Sequence, residues 1–458
     1  PPPPPHPTPF FLNDVYAFRD PLWARGLGDV YKRQIYTRIM NPTQMVLEAR
    51  LQALEGGTDT AIGIPGALAV ASGQAAETLA ILNLAEVGDH IVASASLYGG
   101  TYNLLHYTLP KMGIDTTFVE DPDDLEAWAA AIQPNTKLFY GETIGNPRND
   151  CLDVSGIAKV AHESGIPLVV DNTVATPYLL NPLQMGADIV VHSMTKFIGG
   201  HGNSVGGVII DGGTFDYGAS GRFPNFTDPD PSYHGLSYWP ALGHGAYIIK
   251  ARVQLLRDLG AAVSPQNAFY FLQGLETLSL RMERHFANAQ GVAEYLEAHP
   301  KVEGVQYAGL KSSSWNQRME ALGGGRGYGS VPAFIIKGGT EAGSNFINAL
   351  ELHSHVANIG DVRSLAIHPA STTHSQLTES EQRDAGVTSG LIRLSVGLET
   401  LDDIVEDLPP AVVEKVLRDT NGDGIYDTAV ILFGITSDVP PPVVIDEVDF
   451  TMNNRGCG

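Results

Sequence analysis

The sequence predicts an α/β protein built on a mostly parallel sheet with helices on both faces. Two observations carry that expectation. Short apolar runs (68–71, 90–93, 137–140, 168–170, 188–191 and 207–210) alternate with helix-length segments such as 75–85, 125–132 and 155–164. The runs are mostly apolar rather than alternately apolar and polar, as in strands covered on both faces. In such sheets ligands sit beyond the carboxyl ends of the strands. The residues that close each run are therefore the candidates for function.

The first regular element announces itself at Asn41-Pro42, a capping side chain followed by proline at the first helical position. Leu47, Leu51 and Leu54 then recur on one helical face, and Gly56-Gly57 ends the helix. The run 68–71 closes on Ser72-Gly73-Gln74-Ala75-Ala76, a small polar turn opening a helix, where free backbone N–H groups make an anion site. The run 168–170 closes on Asp171-Asn172-Thr173; a carboxylate at the end of a buried strand needs a partner. The run 188–191 closes on His192-Ser193-Met194-Thr195-Lys196 and passes into Phe197-Ile198-Gly199-Gly200. Each feature alone is ordinary: the turn reads as a loop, the lysine as a solvated side chain. Taken together, a buried Asp followed by Ser-x-Thr-Lys is the order that pyridoxal-phosphate (PLP) chemistry requires. The carboxylate keeps the pyridine nitrogen protonated, the lysine bonds the aldehyde, and the hydroxyls and helix start hold the phosphate. Neither a dinucleotide fingerprint nor a P-loop competes.

Bulk properties narrow the classes. The 458 residues suggest two or three domains, with 43% hydrophobic and 17% charged residues as in a packed enzyme. A formal charge of -23 argues against a nucleic-acid partner. Two cysteines, Cys151 and Cys457, point to a reducing, cytoplasmic setting, and no apolar run is long enough for a bilayer. His201, His234 and His374 lack metal-ligand spacing and read as structural.

The ends differ from the middle. Residues 1–34 begin with a proline run and finish on Asp29-Val30-Tyr31-Lys32-Arg33-Gln34, the translation of a transposon end used in sequencing libraries. The expectation is that this segment is foreign or disordered, that the enzyme proper starts at Ile35, and that its own N-terminal arm is missing. Residues 411–458 form an acidic tail. Within it Asp419, Asn421, Asp423 and Asp427 surround glycines as in the start of a calcium loop, but Val430 stands where a bidentate acid belongs, so a solvated turn is the favoured reading.

The middle resembles the Cys/Met-metabolism family of fold-type-I PLP enzymes over about residues 35–408. The motifs are IYTRIMNPT (35–43), ASGQAAETLAIL (71–82), SLYGGTY (96–102), GETIGNP (141–147), VVDNTVATPYL (169–179), HSMTKFIGGHGNSVGG (192–207), LQGLETLSLRMERH (272–285), DVRSLAIHPASTTHSQL (361–377) and GLIRLSVGLE (390–399). The resemblance implies a PLP-binding major domain over 35–265 and a smaller C-terminal α+β domain over 266–410. It implies Lys196 as the Schiff-base lysine, Asp171 on the pyridine nitrogen and Tyr98 stacked on the ring and aiding proton movement. Gly73, Gln74, Thr173, Ser193 and Thr195 would bind the cofactor. Tyr36 and Arg38 would reach the phosphate of a neighbouring subunit, making the active unit a homodimer or homotetramer. Asn146, Ser364 and Arg393 would orient the substrate, with Arg393 on its α-carboxylate.

Within the family, segments 222–245 and 264–275 favour the branch that replaces the acetyl group of O-acetylhomoserine with sulfide or a thiol. Cystathionine γ-synthase and methionine γ-lyase activities are the alternatives, since they share the cofactor machinery. A non-catalytic scaffold with a calcium-binding tail is the reading from a different class. Residues 58–65 look like an insertion between the first helix and its strand.

Overall fold

The computed structural model describes residues 36–372, 375, 387–408, 415–418 and 428–431. The chain divides into two compact units, Pro1–Leu408 and Pro409–Gly458. In the second, strands Lys415–Arg418 and Thr428–Ile431 pair antiparallel. The candidate calcium ligands Asp419, Asn421, Asp423 and Asp427 lie outside the described residues, as does His374.

The first unit opens with helix α1 (Pro42–Glu55). Asn41 caps it through its side chain, Pro42 supplies the preset first turn, and Gly56 at φ +82° stops it in the left-handed region. Leu47 and Leu51 are wholly buried, each contributing about 1.5–3 kcal/mol. Residues 58–65 then fold into a small loop closed by an Asp59–Pro65 bridge and by Ile64 N–H donating 3.0 Å to Thr60 Oγ1.

A seven-stranded sheet follows: β1 (Ala67–Val70), β2 (His90–Ser94), β3 (Asp115–Val119), β4 (Thr136–Glu142), β5 (Leu168–Asp171), β6 (Ile189–Ser193) and β7 (Gly207–Asp211). Its order is β1-β7-β6-β5-β4-β2-β3. All pairings are parallel except those of β7, which runs against both β1 and β6. Helices α2 (Gly73–Leu82) and α3 (Val154–Glu163) belong to different buried clusters, and α2 lies across β6 and β7. β3 was not expected from the sequence. Asp115-Thr116-Thr117 is polar because β3 is an edge strand and is only half-buried. The helix expected over 75–85 starts earlier, at Gly73, since Ser72 takes the capping position with its Oγ accepting from Ala75 N–H.

Helices α4 (Pro265–Glu276) and α5 (Leu278–Glu297) lead to a second sheet. It contains β8 (Val302–Gln306), β9 (Ala333–Ile336), β10 (Ser354–His355), β11 (Leu365–Ile367) and β12 (Leu391–Ser395), ordered β10-β11-β12-β9-β8. It is antiparallel apart from β10–β11. Among the described residues no helix is long and apolar enough to cross a membrane.

Candidate functional site

The carboxyl ends of β4, β5 and β6 are adjacent, so their last residues, Glu142, Asp171 and Ser193, meet along one edge of the sheet. β1 ends beside them and hands on to Ser72 and the start of α2. The second sheet contributes Arg393 from β12 and the loop that carries Asn358. Between them lies a cavity of about 170 Å3. Of the residues singled out from the sequence, Gly73, Gln74, Tyr98, Asn146, Asp171, Thr173, Ser193, Thr195, Lys196 and Arg393 all line it.

One end of the cavity suits an anion. Gly73 opens α2 so close to β6 that a Cβ on it would lie 2.6 Å from Ser193 Cβ. The first N–H groups of the helix, Ser193 and Thr195 therefore share one wall. Thr173 Oγ1 accepts from Ser193 N–H at 2.8 Å, and Thr195 Oγ1 exchanges hydrogen bonds with Gly206 at 3.1 and 3.2 Å, which fixes both turns. Tyr98 also lines the cavity, half-exposed, with its N–H donating 2.6 Å to Glu142 Oε1. Gly100 lets that ring lie flat: a Cβ there would come within 2.4 Å of Tyr98 Cε1.

Lys196 and Asp171 line the same cavity. Burial, and then the positive charge of Arg393, lower the Lys196 amine to about 8. Its Nζ donates to Asn358 Oδ1. Asp171 Oδ1 accepts from Thr173 N–H at 2.7 Å, and burial raises its carboxyl above the usual range. A positive ring N–H is the group such a carboxylate lacks. Arg393 donates to Asn146 Oδ1 at 3.3 Å and to Asn358 O at 3.1 Å, while its Nε has no partner. No acid pairs with it among the described residues. A buried guanidinium left in that state is ready for a ligand carboxylate.

An amine near its neutral form, an unbalanced carboxylate, an anion wall and an aromatic face thus fit PLP, and Arg393 fits an amino-acid substrate. A profile of the Cys/Met metabolism PLP-dependent enzymes matches residues 8–413, a span that begins upstream of Ile35. The chain belongs to that family. Among its relatives is the O-acetyl-L-homoserine sulfhydrylase of Leptospira meyeri, 56% identical over 415 residues, covering 88% of this chain and 92% of that protein. The homocysteine synthase of Schizosaccharomyces pombe is 48% identical over 410 residues, covering 88% and 93%. A crystal structure from Campylobacter jejuni, designated an O-acetylhomoserine (thiol)-lyase and containing N'-pyridoxyl-lysine-5'-monophosphate, superposes with a TM-score of 0.78 at 40% identity, covering 82% and 87% of the two chains.

Three expected residues stand apart from the cavity. Ser364 is fully buried, its Oγ donates to Glu399 Oε2 and accepts from Gly397 N–H, both at 2.9 Å, and it does not line the cavity. Its hydrogen-bonding capacity is spent on joining β11 to the turn after β12. Tyr36 and Arg38 also lie outside this chain's cavity, stacked on each other with the guanidinium 5.3 Å from the ring centre. His201 is tied to Gly199 O at 2.6 Å, and His234 closes a short turn at φ +57°.

Sequence reasoning missed Asn358, which bridges Lys196 and Arg393, and two further carboxyls in the cavity, Glu77 and Glu142. Glu142 could have been found, because it ends a strand as Asp171 does. Asn358 lies in a loop without periodicity and carried no signal. It also missed Arg281. From α5 this buried side chain donates to Phe197 O at 2.7 Å, Ile198 O at 3.4 Å and Gly274 O at 2.8 Å, pinning the turn that follows Lys196.

Proposed function

We propose that this chain converts O-acetyl-L-homoserine and sulfide, or a thiol, to L-homocysteine, or a thioether, and acetate, with PLP as cofactor. Identity of 56% to a sulfhydrylase across nearly the whole of both chains carries this reading, since the cavity agrees with it and the sister activities would use the same cofactor residues. Bound PLP supplies an aldehyde that reacts with amines and a ring that accepts electrons from the substrate's α-carbon. Lys196 holds the cofactor and, once displaced by the substrate amine, takes the α-proton; its lowered proton affinity suits both tasks. Asp171 keeps a proton on the ring nitrogen. The start of α2, with Gly73, Gln74, Ser193 and Thr195, binds the phosphate, and Thr173 holds Asp171 and Ser193 in register. Arg393 forks onto the substrate α-carboxylate beside Asn146, and Asn358 keeps Arg393 and Lys196 at a fixed separation. Tyr98 covers the ring and assists proton movement as acetate departs from Cγ and sulfide takes its place.

The same reading makes the active species a homodimer or homotetramer in the cytoplasm, with Tyr36 and Arg38 reaching a neighbour's phosphate. Support comes from the high exposure of Tyr36 (69%), which leaves its ring free to be covered. The test is a comparison of three reactions: O-acetylhomoserine with sulfide, O-acetylhomoserine with cysteine, and methionine alone. Homocysteine formation dominating the set is the expected result. Turnover of methionine alone, without a sulfide reaction, would overturn the assignment.

A further inference from the structure

Asp171 is not the only acid on its side of the cavity. Glu142 is its register partner on β4, so both side chains leave the same face of the sheet. Glu77, one turn into α2 from Gly73, also lines the cavity and is buried. Tyr140, two residues before Glu142, places its hydroxyl against the same cluster with no hydrogen-bond partner. Glu77 Oε2 is likewise buried and unpartnered, and the Thr101 hydroxyl is the side-chain donor beside Glu77. Lys196 and Arg393 line the other walls of the cavity and are both engaged with Asn358, while His192 acts on Asp171 and Asp150 on Glu142. Glu142 accepts the Tyr98 N–H, and Asp171 accepts the Thr173 N–H; Glu77 accepts no backbone N–H. If all three carboxyls were ionised, three like charges would share a buried space with too few donors.

We propose that Glu77 is a positioning residue for Asp171: it remains a neutral, protonated acid in the same cavity, so that the charge of Asp171 is presented to the cofactor's ring nitrogen without a competing one from α2. This rests on the PLP assignment above. Burial, and then the negative charge of Asp171, raise the Glu77 carboxyl well above the ordinary range against a lowering contribution from the Thr101 hydroxyl, and burial above all raises the Tyr140 hydroxyl. A neutral acid can donate where an ionised one cannot, which gives the unpartnered oxygens of the cluster a use. A second full charge at Glu77 would instead compete with Asp171 for the ring proton.

The experiment compares the wild-type holoenzyme with Glu77→Gln by infrared spectroscopy at pH 8, with PLP affinity measured alongside. The wild type is expected to show the carbonyl stretch of a protonated carboxyl that shifts in D2O and is absent from E77Q. The glutamine, an isostere of the neutral acid, should hold PLP within about threefold of wild type. No band in the difference spectrum, or a loss of PLP affinity of about tenfold or more in E77Q, overturns the proposal. Should E77Q fail to unfold cooperatively, Glu77→Met serves for the infrared comparison. A wild type without any borohydride-sensitive near-visible absorbance would fail the cofactor assignment itself, which is distinct from a coloured enzyme lacking the Glu77 band.

Discussion

Replacing Arg393 separates what the fold needs from what the ligand needs. The guanidinium is 9% exposed, has an unpartnered Nε, and is lowered by burial from 12.5 to about 10. That shift corresponds to roughly 3 kcal/mol carried against the folded state. Arginine is charged both folded and unfolded below about pH 10, so the penalty is fully present at neutral pH. Arg393→Met, which fills similar volume without charge, should therefore raise the stability of the cofactor-free protein by about 1–3 kcal/mol in denaturant unfolding. Catalysis should move the opposite way. A forked contact to the substrate carboxylate is two charge-assisted hydrogen bonds of about 1.5–3 kcal/mol each. Losing 3 kcal/mol or more lowers kcat/KM for O-acetylhomoserine by at least about a hundredfold, mainly through KM, while the KM for sulfide and the cofactor absorbance stay near wild type. Arg393→Lys should fall between the two. Retention of the wild-type KM for O-acetylhomoserine in Arg393→Met, or destabilisation of the apoprotein, would refute the reasoning.

Lys196→Ala should abolish both turnover and the borohydride-sensitive near-visible absorbance; survival of either removes the lysine from its role. In the cofactor-free protein the Lys196 amine should become half-reactive toward an acylating reagent near pH 8, below the range of surface lysines, as followed by peptide mass spectrometry. Gly73→Ala forces Ser193 to move, because the new Cβ would lie 2.6 Å from Ser193 Cβ and 2.9 Å from its Oγ. PLP affinity should drop by about tenfold or more, with a smaller change in the apoprotein's unfolding midpoint. Buried His285 is depressed from 6.5 to about 4 by burial, so its contribution to stability is complete above pH 6.5 and is lost as pH falls toward 4. Between pH 6.5 and 5 the wild type should lose about 2 kcal/mol through this group. His285→Asn, which can still donate to Val396 O, should flatten that slope, and an unchanged slope would dismiss the group as its source.

How much of this was legible in the sequence follows from where each residue's information is stored. Asp171 and Lys196 could be placed because each follows an apolar run, and the end of a buried parallel strand is a fixed address in this architecture. The helix start at Ser72-Gly73 was readable for the same reason. The edge strand Asp115–Val119 was not, since its exposed side removes the apolar run that reveals the others. The hydrogen bonds of Ser364 were not readable, because a family motif gives a position along the chain but not a direction. Glu399, 35 residues away, takes its hydroxyl. Asn358 and Arg281 act through contacts spanning 162 and 84 residues, and no local pattern encodes a partner at that distance.

The contrast among the buried arginines shows that the incompleteness of the cavity is specific. Arg252, 1% exposed, is paired with Glu48 at 2.7 Å and also donates to Ala67 O and Ile39 O. Arg281 has no acid but spends its fork on three carbonyls and the Thr277 hydroxyl. Arg252 still leaves its Nε without a partner, and burial lowers Arg281 to about 10 as it does Arg393, but both spend most of their donors inside the chain and hold other elements in place. Arg393 is given neither an acid nor a full set of acceptors, although it lies in the same molecule and is about as deeply buried. In the same cavity Asp171 accepts the Thr173 N–H and forms no ion pair with a cation among the described residues. Two desolvated charges that form no ion pair cost stability for as long as nothing fills the space between them. Under the proposed function they become an asset: a protonated ring held at Lys196 would complete Asp171, and an amino-acid substrate arriving afterwards would complete Arg393.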